Sequence, residues 1–143
     1  MKSYLAKFRA IISDPDSGTS KTIELEENRS VPLIGRRIHE VIDGAVVGLS
    51  GYKVQITGGS DKDGFPMRQN VHGGVRRKII LGGGAGFNPS NSGERRRKMV
   101  RGNIITDEIV QINMKIVERP KQNKKGAKKE KEEKAEKESK ANA

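Results

Sequence analysis

Arg68, Arg76, Arg77, Lys78, Arg95, Arg96, Arg97, Lys98 and Arg101 put nine cations between residues 68 and 101, a span with a single acid, Glu94. That span carries +8 of the net charge of +11. Residues 1–67 balance to zero, residues 102–119 give −1, and residues 120–143 give +4. Charge this local does more than keep a chain in solution. A guanidinium is a flat fork of N–H donors that matches two phosphate oxygens, and a row of such groups fits a partner with regularly spaced phosphates. Consecutive arginines cannot share one face of a strand, so Arg95 to Lys98 are expected to fan around a loop and meet phosphates on more than one strand of a folded RNA. His72, in the glycine-containing basic stretch before Val75, is a further candidate contact.

Glycines come next as chemistry-bearing positions, because they let a backbone approach a ligand. Gly58 and Gly59 lie in Ile56-Thr57-Gly58-Gly59-Ser60-Asp61-Lys62-Asp63-Gly64-Phe65-Pro66-Met67, where strand residues stop at Thr57, Asp61 can cap local amides and Pro66 stiffens the exit toward Arg68. The run Gly82-Gly83-Gly84-Ala85-Gly86 invites a phosphate-cradle reading. However, no Lys-Ser or Lys-Thr follows it, and Phe87 stands where the dinucleotide pattern requires its last glycine. It reads better as a loop that RNA backbone approaches closely, and Gly82, Gly83 and Gly84 join the candidate site.

Other chemistries find little support. With no Cys, thiolate catalysis, disulfides and zinc ribbons are excluded. His39 and His72 have no third partner for a metal. The aspartates at 14, 16, 61 and 63 resemble pieces of calcium loops, but Leu25 and His72 stand where the bidentate Glu belongs, so both segments read as turns. No serine lies in a nucleophile elbow, the carboxylates form no acid/base pair, and no cofactor or small-molecule substrate is implied. Three Phe and two Tyr are too few for a broad base-stacking platform, which leaves loops, charge and shape.

The elements that must position these residues read as mainly β. Tyr4, Ala6, Phe8, Ala10 and Ile12 alternate across residues 2–12, the segment 13–18 is rich in turn formers, and Ile23 and Leu25 alternate in 22–26, so these strands form a hairpin. Ile34, Ile38, Val41 and Ile42 have helical spacing, followed by Gly44 as a left-handed terminus, which predicts a short helix or helical turn of at most about two turns. Strands follow at 52–57, at 75–81 with Val75, Ile79 and Leu81 inward, and at 109–117 with Val110, Ile112, Met114 and Ile116 inward; residues 103–106 could add a short one. Two long loops, 58–74 and 82–102, separate them, and loops of that length are usually functional. Residues 1–119 thus form one domain. Residues 120–143 form a Lys/Glu/Ala-rich extension with no large apolar side chain, and pairs such as Glu130 with Lys134 favour a helix once it is ordered. No apolar run is long enough to cross a bilayer and no signal peptide opens the chain, so a cytoplasmic protein without a membrane partner is expected.

The string from Ile56 to Met67, with Val71-His72-Gly73-Gly74-Val75-Arg76-Arg77-Lys78, Gly93-Glu94-Arg95-Arg96-Arg97-Lys98-Met99-Val100-Arg101-Gly102-Asn103 and the closing Ile109 to Glu118, resembles the archaeal and eukaryotic family of small-ribosomal-subunit protein six. The resemblance covers residues 1 to about 119. It implies a small β-barrel, here of about six strands, that binds small-subunit ribosomal RNA beside neighbouring ribosomal proteins, without catalysis and without being an obligate homo-oligomer. Eukaryotic members carry a long C-terminal helix ending in phosphorylated serines. This tail is short and offers only Ser139, so that regulation is not carried over and the chain looks archaeal in type. Two rivals differ in class. A phosphate-handling enzyme would use the Gly82–Gly86 loop, and a free-standing single-strand or chaperone-like RNA binder would lack one fixed site.

Overall fold

The computed structural model describes residues 7–120. The expectations placed on Tyr4 and Ala6 and on residues 121–143 lie outside that range. Seven strands occur among the described residues: β1 (Phe8–Asp14), β2 (Thr19–Leu25), β3 (Val41–Asp43), β4 (Lys53–Asp61), β5 (Arg76–Leu81), β6 (Arg96–Arg101) and β7 (Ile109–Glu118). Among the same residues lie one helical turn, α1 (Glu27–Ser30), and two 3-10 turns, Val31–Leu33 and Gly44–Val47.

The hairpin forms as the alternation requires. Phe8 opposes Leu25 and Asp14 opposes Thr19, and Phe8, Ala10 and Ile12 are buried. Asp14 closes its turn by accepting from the Asp16 amide (3.1 Å) and from Ser17 Oγ (2.9 Å), the turn role assigned to this aspartate cluster. β7 then inserts between β1, to which it runs parallel, and β4, to which it runs antiparallel. The sheet order is β2-β1-β7-β4-β3, and its inner face supplies Ala10, Ile12, Val54, Ile56, Ile112 and Met114 to the main core together with Leu33, Val47, Met67 and Ile105.

Four expectations are corrected. The sheet does not close into a barrel: among the described residues it is open, with β2 and β3 at its edges, and β5 with β6 forms a separate two-stranded ribbon. The segment that could have joined the two makes only single bridges, Ser60 with Pro66 and Met67 with Arg101. Pro66 has no N–H with which to extend a ladder. Second, the helix lies upstream of its predicted place. Gly35 (φ 85°) and His39 (φ 74°) interrupt the Ile34–Ile42 spacing, so Ile34 and Val41 face solvent while Leu33 and Ile42 are buried. The left-handed terminus is Gly48 (φ 83°), not Gly44.

Third, β4 does not stop at Thr57 but continues to Asp61, because β7 goes on pairing with it through Gly58 opposite Asn113, Gly59 opposite Ile112 and Ser60 opposite Gln111. Gly59 is required by space: a Cβ there would lie 2.4 Å from the Gln111 carbonyl oxygen and 3.2 Å from Met67 Sδ, whereas one at Gly58 would meet nothing within 4 Å. A register irregularity between Ser60 and Asp61 turns Val110 outward and puts Ile109 in the core in its place. Fourth, Arg96 to Lys98 lie on a strand rather than in a loop, and Val75, just before β5, is exposed.

Candidate nucleic-acid interface

The ribbon collects most of the cations identified from the sequence. Arg76, Arg77 and Lys78 lie on β5, and Arg96, Arg97, Lys98 and Arg101 lie on β6. Opposed residues on antiparallel strands share a face. One face therefore carries Arg77 opposite Val100, Ile79 opposite Lys98 and Leu81 opposite Arg96. Val100 and Leu81 bury there against Val71 and Phe87, with Ile79 alongside, in a second small core, so Arg77, Lys98 and Arg96 form its rim. The other face carries Arg76 opposite Arg101, Lys78 opposite Met99, and Ile80 opposite Arg97.

At the inner end of that second face the charges turn inward. Arg101 is 3% exposed, and its Nη1 donates to Asp61 Oδ2 (3.1 Å) while Nη2 donates to Glu108 Oε2 (2.6 Å), Thr106 Oγ1 (3.2 Å) and the Gly74 carbonyl (3.2 Å). Arg76 donates through Nε to the same Asp61 Oδ2 (2.8 Å), pairs with Asp63, and lies over the Phe65 ring at 5.0 Å. The other oxygen of Asp61 accepts from the amides of Asp63 (2.9 Å) and Phe65 (3.0 Å). Burial alone would raise the Asp61 carboxyl. The Phe65 amide, Arg76, Arg101 and the Asp63 amide overcome it and hold the group below the ordinary aspartate range. The hydrogen bond and charge of Arg101 likewise lower Glu108.

This cluster fixes the ribbon to the end of β4. Backbone bonds reinforce it: Met67 N–H to the Gly59 carbonyl (2.9 Å), Arg101 N–H to the Pro66 carbonyl (2.9 Å) and Arg68 N–H to the Arg101 carbonyl (3.0 Å). Arg101, a candidate phosphate contact by sequence, is thus buried and committed to acids, and Arg76 is largely so. Sequence reasoning gave Asp61 its amide-capping role but missed its arginine partners, which lie 15 and 40 residues away along the chain. The only local signal was the pair Asp61 and Asp63 just ahead of a strongly basic span.

Arg68 has a different task. Its Nη1 donates to the Ala85 carbonyl (2.7 Å) and lies 3.4 Å from that of Gly83, so it ties down the Gly82–Gly86 loop rather than reaching outward. The structure therefore brings Arg68 together with Gly83 and Gly84, as the sequence did not foresee. Gly82 and His72 are exposed, and Gly58 and Gly59 lie on the main sheet rather than in a loop. Arg77, Lys78, Arg95, Arg97 and Lys98 are exposed, with no acid partner among the described residues. Arg96 pairs with Glu94 (2.8 Å) at the surface, where Glu94 also accepts from the Ser90 amide; that bond, against burial and with help from Arg96, keeps Glu94 below its usual range. The one acid of the basic span is therefore already occupied. Among the described residues no group of His and carboxylates could hold a metal, and no helix is long and apolar enough to cross a membrane.

The profile of the family described as Ribosomal protein S6e matches residues 8–129. A protein of Methanocaldococcus jannaschii named small ribosomal subunit protein eS6 is 50% identical over 113 residues, which is 79% of this chain and 82% of that one. The protein of the same name from Methanothermobacter thermautotrophicus is 47% identical over 78% of this chain and 87% of its own length. The one from Methanocella arvoryzae is 44% identical over 86% and 94%. On a profile that spans most of the chain and relatives matched over most of their length, the chain belongs to the ribosomal protein S6e family.

Proposed function

We propose that this chain is a structural constituent of the small ribosomal subunit in the cytoplasm, archaeal in type, which binds and stabilises small-subunit ribosomal RNA and performs no catalysis. The names of its relatives support the assembly. The observation that carries the RNA-binding role is the ribbon, where Arg77, Lys78, Arg97 and Lys98 stand exposed without acid partners among the described residues while Arg76 and Arg101 are spent on holding it in place. A pair of strands carrying cations on both faces serves a groove or a cleft between RNA helices, since each face meets a different backbone.

Within this reading the contact set is Arg77, Lys78, Arg95, Arg96, Arg97 and Lys98. His72 and the loop Gly82–Gly84 lie close to the RNA, and Arg68 positions that loop. Each phosphate neutralised releases counterions, so affinity falls steeply with salt. Residues 1–119 act as the RNA-binding domain and residues 120–143 as an extension adding +4. Neighbouring ribosomal proteins complete its surroundings. The test is binding of the full chain to small-subunit ribosomal RNA and to bulk RNA across a salt series, with footprinting of the bound RNA. One protected region on the ribosomal RNA supports the reading. Equal affinity for both RNAs without a fixed footprint would favour a free-standing RNA binder.

A further inference from the structure

The open face of the ribbon has a feature that phosphate neutralisation does not use. Ile80 is 59% exposed in the midst of cations. In the β5–β6 register Lys78 opposes Met99 and Ile80 opposes Arg97, so two apolar side chains lie on one diagonal of the face and two cations on the other. Ile80 is not part of either core: the ribbon's apolar packing uses Val100, Leu81 and Ile79 on the opposite face. A second copy of this ribbon is a poor occupant, because Lys78 and Arg97 would meet their like. The occupant must bring negative charge at two flanking points and an apolar surface between them.

RNA has that combination only where a base has left the stack. A continuous duplex presents phosphates and 2′-hydroxyls but hides its base faces, whereas a bulged or single-stranded nucleotide exposes a ring between two phosphates. Aliphatic side chains such as Ile and Met serve as apolar wedges against bases in nucleic-acid complexes. We propose that the open face of the ribbon takes an unstacked base of RNA, with the ring lying on Ile80 and Met99 while Lys78 and Arg97 hold the flanking phosphates. This inference rests on the reading of the ribbon as an RNA surface and narrows it from RNA in general to an unpaired nucleotide.

The experiment titrates the full chain and its Ile80→Ala variant with small-subunit ribosomal RNA and, separately, with a continuous RNA duplex, each over a salt series. The exposed Ile80 side chain supports neither core, so the variant is expected to melt like wild type. Its affinity for the ribosomal RNA is expected to fall about tenfold, the loss that follows when an aliphatic side chain of this size no longer covers an apolar surface. The slope against salt and the affinity for the duplex should stay unchanged, because no phosphate contact is removed. Ile80→Phe, which keeps an apolar face, should restore binding. Unaltered affinity of Ile80→Ala for ribosomal RNA would overturn the proposal and assign the face to a protein neighbour. An equal loss on both RNAs with a flatter salt slope would overturn it too, while leaving the ribbon an RNA surface. Wild-type protein that showed no salt-dependent binding to the ribosomal RNA would remove both readings at once.

Discussion

Replacing Asp61 by Asn removes one charge from the joint between sheet and ribbon while keeping its shape. The amide oxygen can still accept from the Asp63 and Phe65 amides, so the local turn is preserved and the loss falls on Arg101 and Arg76. The Asp61 side chain is 0% exposed and that of Arg101 is 3% exposed, so water cannot replace the missing partner. Removing one member of a buried pair costs about 3–5 kcal/mol. Glu108 still pairs with Arg101 and Asp63 with Arg76, which places the expected cost at the lower end, about 3 kcal/mol. For a domain of this size that lowers the melting temperature by about 10 °C. Asp63→Asn, at a half-exposed site, should cost under about 1 kcal/mol. Circular dichroism melts of the full chain provide the comparison, and an Asp61→Asn variant that melts with wild type would refute the account of the joint. Acid adds a check whose sign is fixed. Because the folded-state Asp61 carboxyl lies below its ordinary value, its contribution is fully present above about pH 4 and is lost as pH falls through the folded-state value, so the gap between wild type and Asp61→Asn should close in acid.

Changing Arg95, Arg96 and Arg97 together to Ala should weaken binding to small-subunit ribosomal RNA and flatten its salt dependence by at most about 0.9 per lost contact, with Arg96 contributing least because Glu94 already holds it; an unchanged slope would remove these residues from the interface. Gly59→Val should destabilise the free protein by about 1–3 kcal/mol in a denaturant titration, through collision with the Gln111 carbonyl, while Gly58→Val and Lys62→Ala should do far less. Comparable losses at Gly58 and Gly59 would show that close approach is not what the pair is for. Arg68→Ala should release the Gly82–Gly86 loop and speed hydrogen exchange there with little change on the main sheet; uniform protection would show that the loop holds itself.

The strands were readable where alternation was clean, as in Phe8, Ala10 and Ile12, because a period of two follows directly from the pleat. Alternation failed where the backbone departs from regularity. The irregularity at Ser60/Asp61 exchanged Val110 for Ile109, and β4 ran on through two glycines that have little strand preference of their own but are required or tolerated by their neighbour β7. Helical spacing at Ile34 to Ile42 was present and misleading, since residues at positive φ in its midst decided against a helix. The basic span was visible as charge, but charge alone does not separate an arginine that faces solvent from one buried on a carboxylate. Arg101 and Arg97 project from the same face of β6 and differ in where along it they lie, Arg101 standing at the end of the ribbon that meets Asp61. Pairings across 15 and 40 residues belong to the tertiary structure, and no local pattern encodes them.

The central claim, membership of the small ribosomal subunit through salt-sensitive RNA contacts, is tested most directly by sedimenting a cell lysate of the source organism through a density gradient at low and at high salt and following this chain with an antibody. The account expects the chain to migrate with small subunits at low salt and to leave them only at high salt. A chain that stays at the top of the gradient at low salt would contradict it.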